Sequence, residues 1–194
     1  GFIFPDEFIP LAEQTGNIRH LTHWAIETAL QEHVRLREIG FDIKMAVNIS
    51  AVDVSDLELP PFVSNLLEKY SVAPSSLILE VTESAIMSDP DKAMLALNML
   101  KNMSIKLSID DFGTGYSSME QLKRAPVDEL KIDKSFVLDL ATNKDDLIIV
   151  KSITSLAHNL GMTIVAEGVE DNGSLTALRE LNVETAQGYF ISRP

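Results

Sequence analysis

The sequence predicts an α/β fold, a (β/α)8 barrel of the TIM type, and three observations carry that prediction. Short apolar runs rich in β-branched residues alternate with longer stretches of helical period, the pattern of repeated βα units with parallel strands and right-handed crossovers. These runs are close to continuously apolar, as strands covered on both faces must be. Nearly every run ends in a residue able to do chemistry: Asn48, Glu80, Asp110 with Asp111, Lys131, Glu167 and Gln187. An open doubly wound sheet uses mainly the crevice at its switch point. Polar strand ends gathered on one ring are instead the mark of a barrel, whose active sites sit at the C-terminal face.

The elements follow in order. Pro5–Gln14 reads as a short helix and Ile18–Ile39 as a long one. Met45–Ser50 (MAVNIS) and Leu77–Thr82 (LILEVT) read as strands. A helix begins near Ser88-Asp89-Pro90, where a capping side chain precedes a proline in the first turn. Ile105–Asp110 (IKLSID) and Glu129–Asp133 (ELKID) are the next strands. Lys144–Leu160 is a helix that stops at Gly161, a usual helix-ending residue. Thr163–Glu167 (TIVAE) and Ala186–Phe190 (AQGYF) complete the set. That makes six strands where a barrel of this type has eight, and the chain opens on a helix that ought to follow a strand. The two further strands are expected upstream of Gly1. No internal repeat, low-complexity run or linker interrupts residues 1–194, which are expected to form one domain.

Composition excludes several classes. With 45% hydrophobic residues, 9 glycines and 8 prolines, the chain is ordinary globular protein. Its formal net charge is -13, which argues against unaided binding to nucleic acid or an anionic membrane. An anionic substrate would need bound cations to offset that field. The absence of cysteine excludes disulfides and thiolate metal sites and fits a reducing cytoplasm. No run of about 18 apolar residues and no signal peptide is present. The chain begins at Gly1 and ends on Ser192-Arg193-Pro194. It is expected to be a piece of a longer cytoplasmic protein, with room for a membrane anchor outside residues 1–194.

The acids at the strand ends define the expected chemistry. Glu80, Asp110, Asp111 and Glu167, with Asn48, offer hard oxygen ligands suited to Mg²⁺ or Mn²⁺. Adjacent carboxylates let one position serve two cations about 3.5–4 Å apart. Lys131 has two readings: it fixes a water or phosphate as a compact charge, or it forms a wall ion pair with Asp133 or a neighbouring acid. His20, His23, His33 and His158 fall in helical stretches and read as structural or surface residues. Gly113 and Gly115 are followed by no GKS or GKT, so they serve loop turns instead of a phosphate cradle.

The stretches PDEFIPLAEQTG, VNIS, LEVTES, IDDFGTGYSS, LKIDKSFV, VAEGVE and QGYFISRP stand in one order along the whole chain. In them the chain resembles the EAL-type phosphodiesterases of bacterial cyclic-di-GMP signalling. The resemblance implies hydrolysis of one phosphodiester bond of cyclic-di-GMP to linear pGpG, with two Mg²⁺ or Mn²⁺ ions per site. By that analogy Asn48, Glu80 and Asp110 hold the first ion. Asp110 and Asp111 reach the second, and Glu167 binds it directly or through water. Lys131 holds the nucleophilic water. Glu83 braces the DFGTGYSS loop, Asp133 and Gln187 are supporting groups beside the catalytic ones, and Glu170, which contacts guanine, binds the substrate together with Gln187. A homodimer through the Asp111–Ser118 loop and the adjacent helix is implied, as are sensor or cyclase-like domains upstream. The Glu-Ala-Leu motif that names the family is absent from this chain and belongs on a strand before Gly1. An inactive cyclic-di-GMP receptor is therefore the alternative function, although every downstream catalytic position is intact. More remote alternatives are a proton-abstracting barrel enzyme with Lys131 as base and a scaffold acting through protein contacts.

Overall fold

A proline at the first helical position gives up no hydrogen bond, and Pro5 opens α1 (Pro5–Thr15) in this way. Gly16, at φ 74°, takes the left-handed backbone that ends it. The computed structural model describes residues 3–113 and 119–193, without the side chains of Asp6, Met119 and Gln121. Its residues pack as two units, Gly1–Leu107 and Ser108–Pro194.

In the first unit α2 (Ile18–Glu38) buries Ile18, Thr22, Ile26, Leu30 and His33, spaced at helical period along one face. His33 is a satisfied core residue, its Nδ1 2.8 Å from the carbonyl of Ile43. There follow β1 (Met45–Ile49), α3 (Ala51–Val54), α4 (Leu59–Tyr70), β2 (Leu77–Thr82), α5 (Glu83–Ser88) and α6 (Pro90–Asn102). β1 and β2 are parallel, with Asn48 level with Glu80. Leu77, Leu79 and Val81 of β2 are wholly buried, as are Leu97 and Leu100 of α6. Each such side chain contributes about 1.5–3 kcal/mol. Asp89 caps α6, accepting the amide of Lys92 ahead of Pro90, as its sequence predicts.

β3 (Lys106–Phe112) begins in the first unit and has most of its residues in the second, which continues with α7 (Met119–Arg124), β4 (Glu129–Ile132), α8 (Lys144–Asn159), β5 (Thr163–Ala166), α9 (Asn172–Glu180) and β6 (Thr185–Ala186). β3 pairs with β4, β4 with β5 and β5 with β6, all parallel. Leu130, Ile132, Ile164 and Ala166 are fully buried beside Val150 and Ala157 of α8.

Two strands differ from the sequence expectation by more than one residue at an end. β3 does not stop at Asp110 but runs on to Phe112, with its register to β4 shifting between Ile109 and Phe112. The last strand, expected over Ala186–Phe190, is only Thr185–Ala186. There the chain turns instead of extending. Phe190 donates its amide to the Val169 carbonyl, and Ile191 and Ser192 donate back to Gly188. Tyr189, Phe190 and Ile191 are left exposed, so their apolar character marks no buried strand.

Gly188 allows this turn. A Cβ there would lie 2.3 Å from both the nitrogen and the oxygen of Val169. Gly188→Ala is expected to destabilise the fold by about 1–3 kcal/mol through overpacking, read as a lowered thermal midpoint. An unchanged midpoint would show that Val169 yields freely.

Of the loop over which dimerisation is expected, Thr114–Ser118 lie outside the described residues.

Candidate active site

Alternation along β4 aims Lys131 away from Leu130 and Ile132, which are fully buried. Lys131 is itself buried, at 5% exposure. A desolvated ammonium must be paired. Its Nζ lies 3.0 Å from Asp110 Oδ1 and 2.7 Å from Glu167 Oε1. Asp110 lies on the neighbouring parallel strand β3 and Glu167 directly follows β5, so one acid comes from each side of it. Asp110 Oδ1 also accepts the amide of Asp111 at 3.0 Å. Of the two sequence readings of Lys131, the ion pair is present, and Asp110 and Glu167 are among its partners.

Asp111 sits where β3 loses its register. Its φ is 53°, in the left-handed region, which costs most non-glycine residues about 1–2 kcal/mol and Asp less. In a regular strand consecutive side chains point to opposite faces. The left-handed residue breaks that rule, and carboxylate oxygens of Asp110, Asp111 and Glu167 all come within 4.8 Å of one another. The Asp111 carboxyl is held above its ordinary range. Although Asp111 is exposed, partial loss of hydration beside its neighbours is the main cause; the charges of Asp110, Asp133 and Glu167 add to it, and Lys131 only partly opposes them. Three carboxylates around one ammonium leave excess negative charge that a divalent cation would neutralise. The all-oxygen donor set suits Mg²⁺ or Mn²⁺ and does not choose between them.

The remaining expected residues are placed as follows. In the first unit Asn48 is exposed and Glu80, level with it on β2, is 9% exposed. Asn48 lines a cleft of about 800 Å³ together with Thr22, Trp24, Ser50, Thr82 and Ser84. Glu83 opens α5, whose cap is Thr82. It is buried, and its Oε1 has no hydrogen-bond partner among the described residues, an unmet demand of about 1–3 kcal/mol. In the second unit Asp133 caps the 3₁₀ turn Lys134–Phe136 through Ser135 and acts on the cluster through its charge on Asp111. Gln187 follows β6 with its side chain exposed; its amide donates to Ala166 and its carbonyl accepts from Val169. Glu170 is exposed on the loop after β5.

Sequence reading missed the glycines that shape this rim. Gly168, directly after Glu167, has φ 70°, and a Cβ there would lie 2.4 Å from the Cβ of Lys134. Gly188 stands in the same relation to Gln187. The available signal was a glycine immediately following a strand-end polar residue.

Parallel strands that present acids and a lysine at their carboxyl ends define a class, the α/β domains with a cation-competent site at the strand termini. Within that class the chain belongs to the EAL domain family, whose profile matches residues 1–194. It is 43% identical over 195 residues to the bifunctional diguanylate cyclase/cyclic di-GMP phosphodiesterase MucR of Pseudomonas aeruginosa. It is 40% identical over 195 residues to the cyclic di-GMP phosphodiesterase NbdA of the same organism. All of this chain is covered in both cases, but only 28% and 25% of those relatives, so the chain spans about a quarter of their length. Among solved structures it is similar to the PaMucR phosphodiesterase in its c-di-GMP complex, with a TM-score of 0.93, covering 100% of this chain and 79% of that one. This likeness bears out the α/β fold of the TIM type. Among the described residues no helix is long and apolar enough to cross a membrane.

Proposed function

We propose that this chain is the phosphodiesterase part of a cyclic-di-GMP-degrading protein, hydrolysing the dinucleotide to linear pGpG. The observation that carries the reading is the cluster of Lys131 with Asp110, Asp111 and Glu167, in a chain 43% identical to a protein named as a cyclic di-GMP phosphodiesterase. Asn48, Glu80 and Asp110 would hold one divalent ion, and Asp110, Asp111 and Glu167 the other. Bound Mg²⁺ or Mn²⁺ would polarise the phosphodiester and acidify a water.

The chain's own residues do the rest. The carboxylates concentrate cations in a protein whose net charge would otherwise repel a nucleotide. Lys131 donates to the attacking water and orients it toward phosphorus. The water oxygen bonds to phosphorus, one P–O ester bond breaks, and the departing oxygen takes up a proton. Gln187 supports the site, and Glu170 accepts hydrogen bonds from a guanine edge. MucR, of which this chain matches 28%, is named a diguanylate cyclase as well, which suits a sensor or cyclase-like region upstream that controls this activity.

Chromatography of cyclic-di-GMP incubated with the protein and Mg²⁺ or Mn²⁺ tests the reading; pGpG is the expected product. Binding without turnover would make the protein a receptor. Divalent ions should also raise the thermal midpoint. At one hundred times Kd the stabilisation is about 2.7 kcal/mol, and Asp110→Asn should remove most of it. A melting curve indifferent to both ions would count against the cation site.

A further inference from the structure

The turn after β1 contains more hydrogen bonding than its short helix requires. α3 is a single turn of four residues, with little stability of its own. Ser50 caps it, and Asp53 returns the bond in a capping box. A serine cap alone contributes about 1 kcal/mol. Here the Asp53 carboxylate is 1% exposed, and burying a carboxylate costs several kcal/mol unless donors surround it. Three donors meet one oxygen. Asp53 Oδ2 accepts the Ser50 amide at 3.1 Å, the Ser50 hydroxyl at 2.7 Å and the Thr22 hydroxyl at 2.6 Å. Thr22 belongs to α2, lies 31 residues away and is 4% exposed. The bond therefore ties the end of β1 to the helix that precedes it.

Asn48 stands two residues before Ser50. Thr22, Asn48 and Ser50 line the same cleft. A strand end that pivots would swing Asn48, and a ligand displaced by a fraction of an ångström binds its ion less well. We propose that Asp53, held by Thr22 and Ser50, is a positioning residue that sets the direction of Asn48 and hence the affinity of the first divalent cation. The inference rests on the ligand role given to Asn48 above. It accounts for a buried carboxylate that neither a four-residue helix nor the cluster around Lys131 requires.

The test is Mn²⁺ titration of the full chain, followed by electron paramagnetic resonance, with thermal unfolding in parallel. Thr22→Val keeps the shape and removes the donor. It should weaken Mn²⁺ binding about tenfold, as loss of an outer partner of a metal ligand does. Thr22→Ser should restore it. Ser50→Ala, which removes a different donor to the same oxygen, should weaken binding likewise and serves if Thr22→Val does not fold. Asn48→Ala separates the two layers of argument. If Asn48→Ala weakens binding while folded Thr22→Val and Ser50→Ala bind as wild type, the tether is only a structural cap and the inference falls alone. If Asn48→Ala leaves Mn²⁺ affinity unchanged, the ligand role falls and takes the inference with it.

Discussion

Lys131→Ala is expected to reduce cyclic-di-GMP turnover about 10³-fold, the usual cost of removing one preorganised donor from a reacting centre. The same change should leave Mn²⁺ binding at least as tight as before. The reason is the position of the ammonium: at 3.0 Å from Asp110 and 2.7 Å from Glu167, it is the counter-ion of the acids that would receive the cations. Without it the carboxylates repel one another, so the ion-free variant should be less stable, by about 3–5 kcal/mol as for other buried pairs broken on one side. Added Mn²⁺ should return most of that loss. The wall-pair reading of Lys131 makes the opposite prediction for activity, namely that once Mn²⁺ restores stability turnover returns too. Rates near wild type at saturating Mn²⁺ would remove Lys131 from the mechanism.

Asp111→Asn should separate stability from function in the other direction. The exposed Asp111 carboxyl is held above its ordinary value of 3.8, mainly by partial loss of hydration and then by Asp110, Asp133 and Glu167. A folded state that binds this proton more tightly than the unfolded chain gains stability from it at low pH. That gain is full below the ordinary value and is lost as pH rises through the raised one. At neutral pH the charged Asp111 therefore opposes folding when no cation is bound. Asparagine removes the charge and tolerates the left-handed backbone at φ 53° about as well as aspartate. The ion-free variant should melt above wild type at pH 7, with the difference vanishing toward pH 3. Its gain in midpoint on adding Mg²⁺ should shrink, and turnover should fall about 10²-fold or more. A variant that melts below wild type at pH 7 would show that Asp111 is held by attraction, not opposed by repulsion.

These two residues also show how far the sequence could be read. LKID is apolar on both sides of Lys131, and alternation in a strand leaves a lysine there only one polar direction. Asp110 and Glu167 ended apolar runs in the same way, so three of the four cluster members followed from period and position alone. The ordered stretches from PDEFIPLAEQTG to QGYFISRP pointed to the family that the profile match shows. Asp111 was legible only as the neighbour of Asp110. A regular strand would have turned it to the opposite face, and its entry into the cluster depends on a left-handed backbone and a register shift against β4. Neither has a local signature, because aspartate occupies both backbone regions.

The sequence by itself determined the alternation of strand and helix, the fold class and the identity of the acids and lysine at the strand ends. These depend on hydrophobic period and residue type, which are local properties. Tertiary structure alone decided which acids share the ammonium, that the last strand stops at Ala186 because Gly188 lies against Val169, and that Thr22 reaches Asp53 across 31 residues. Each of these is a contact between segments distant in the chain. Such a contact depends on where packing brings two backbones together, and no window of neighbouring residues encodes it.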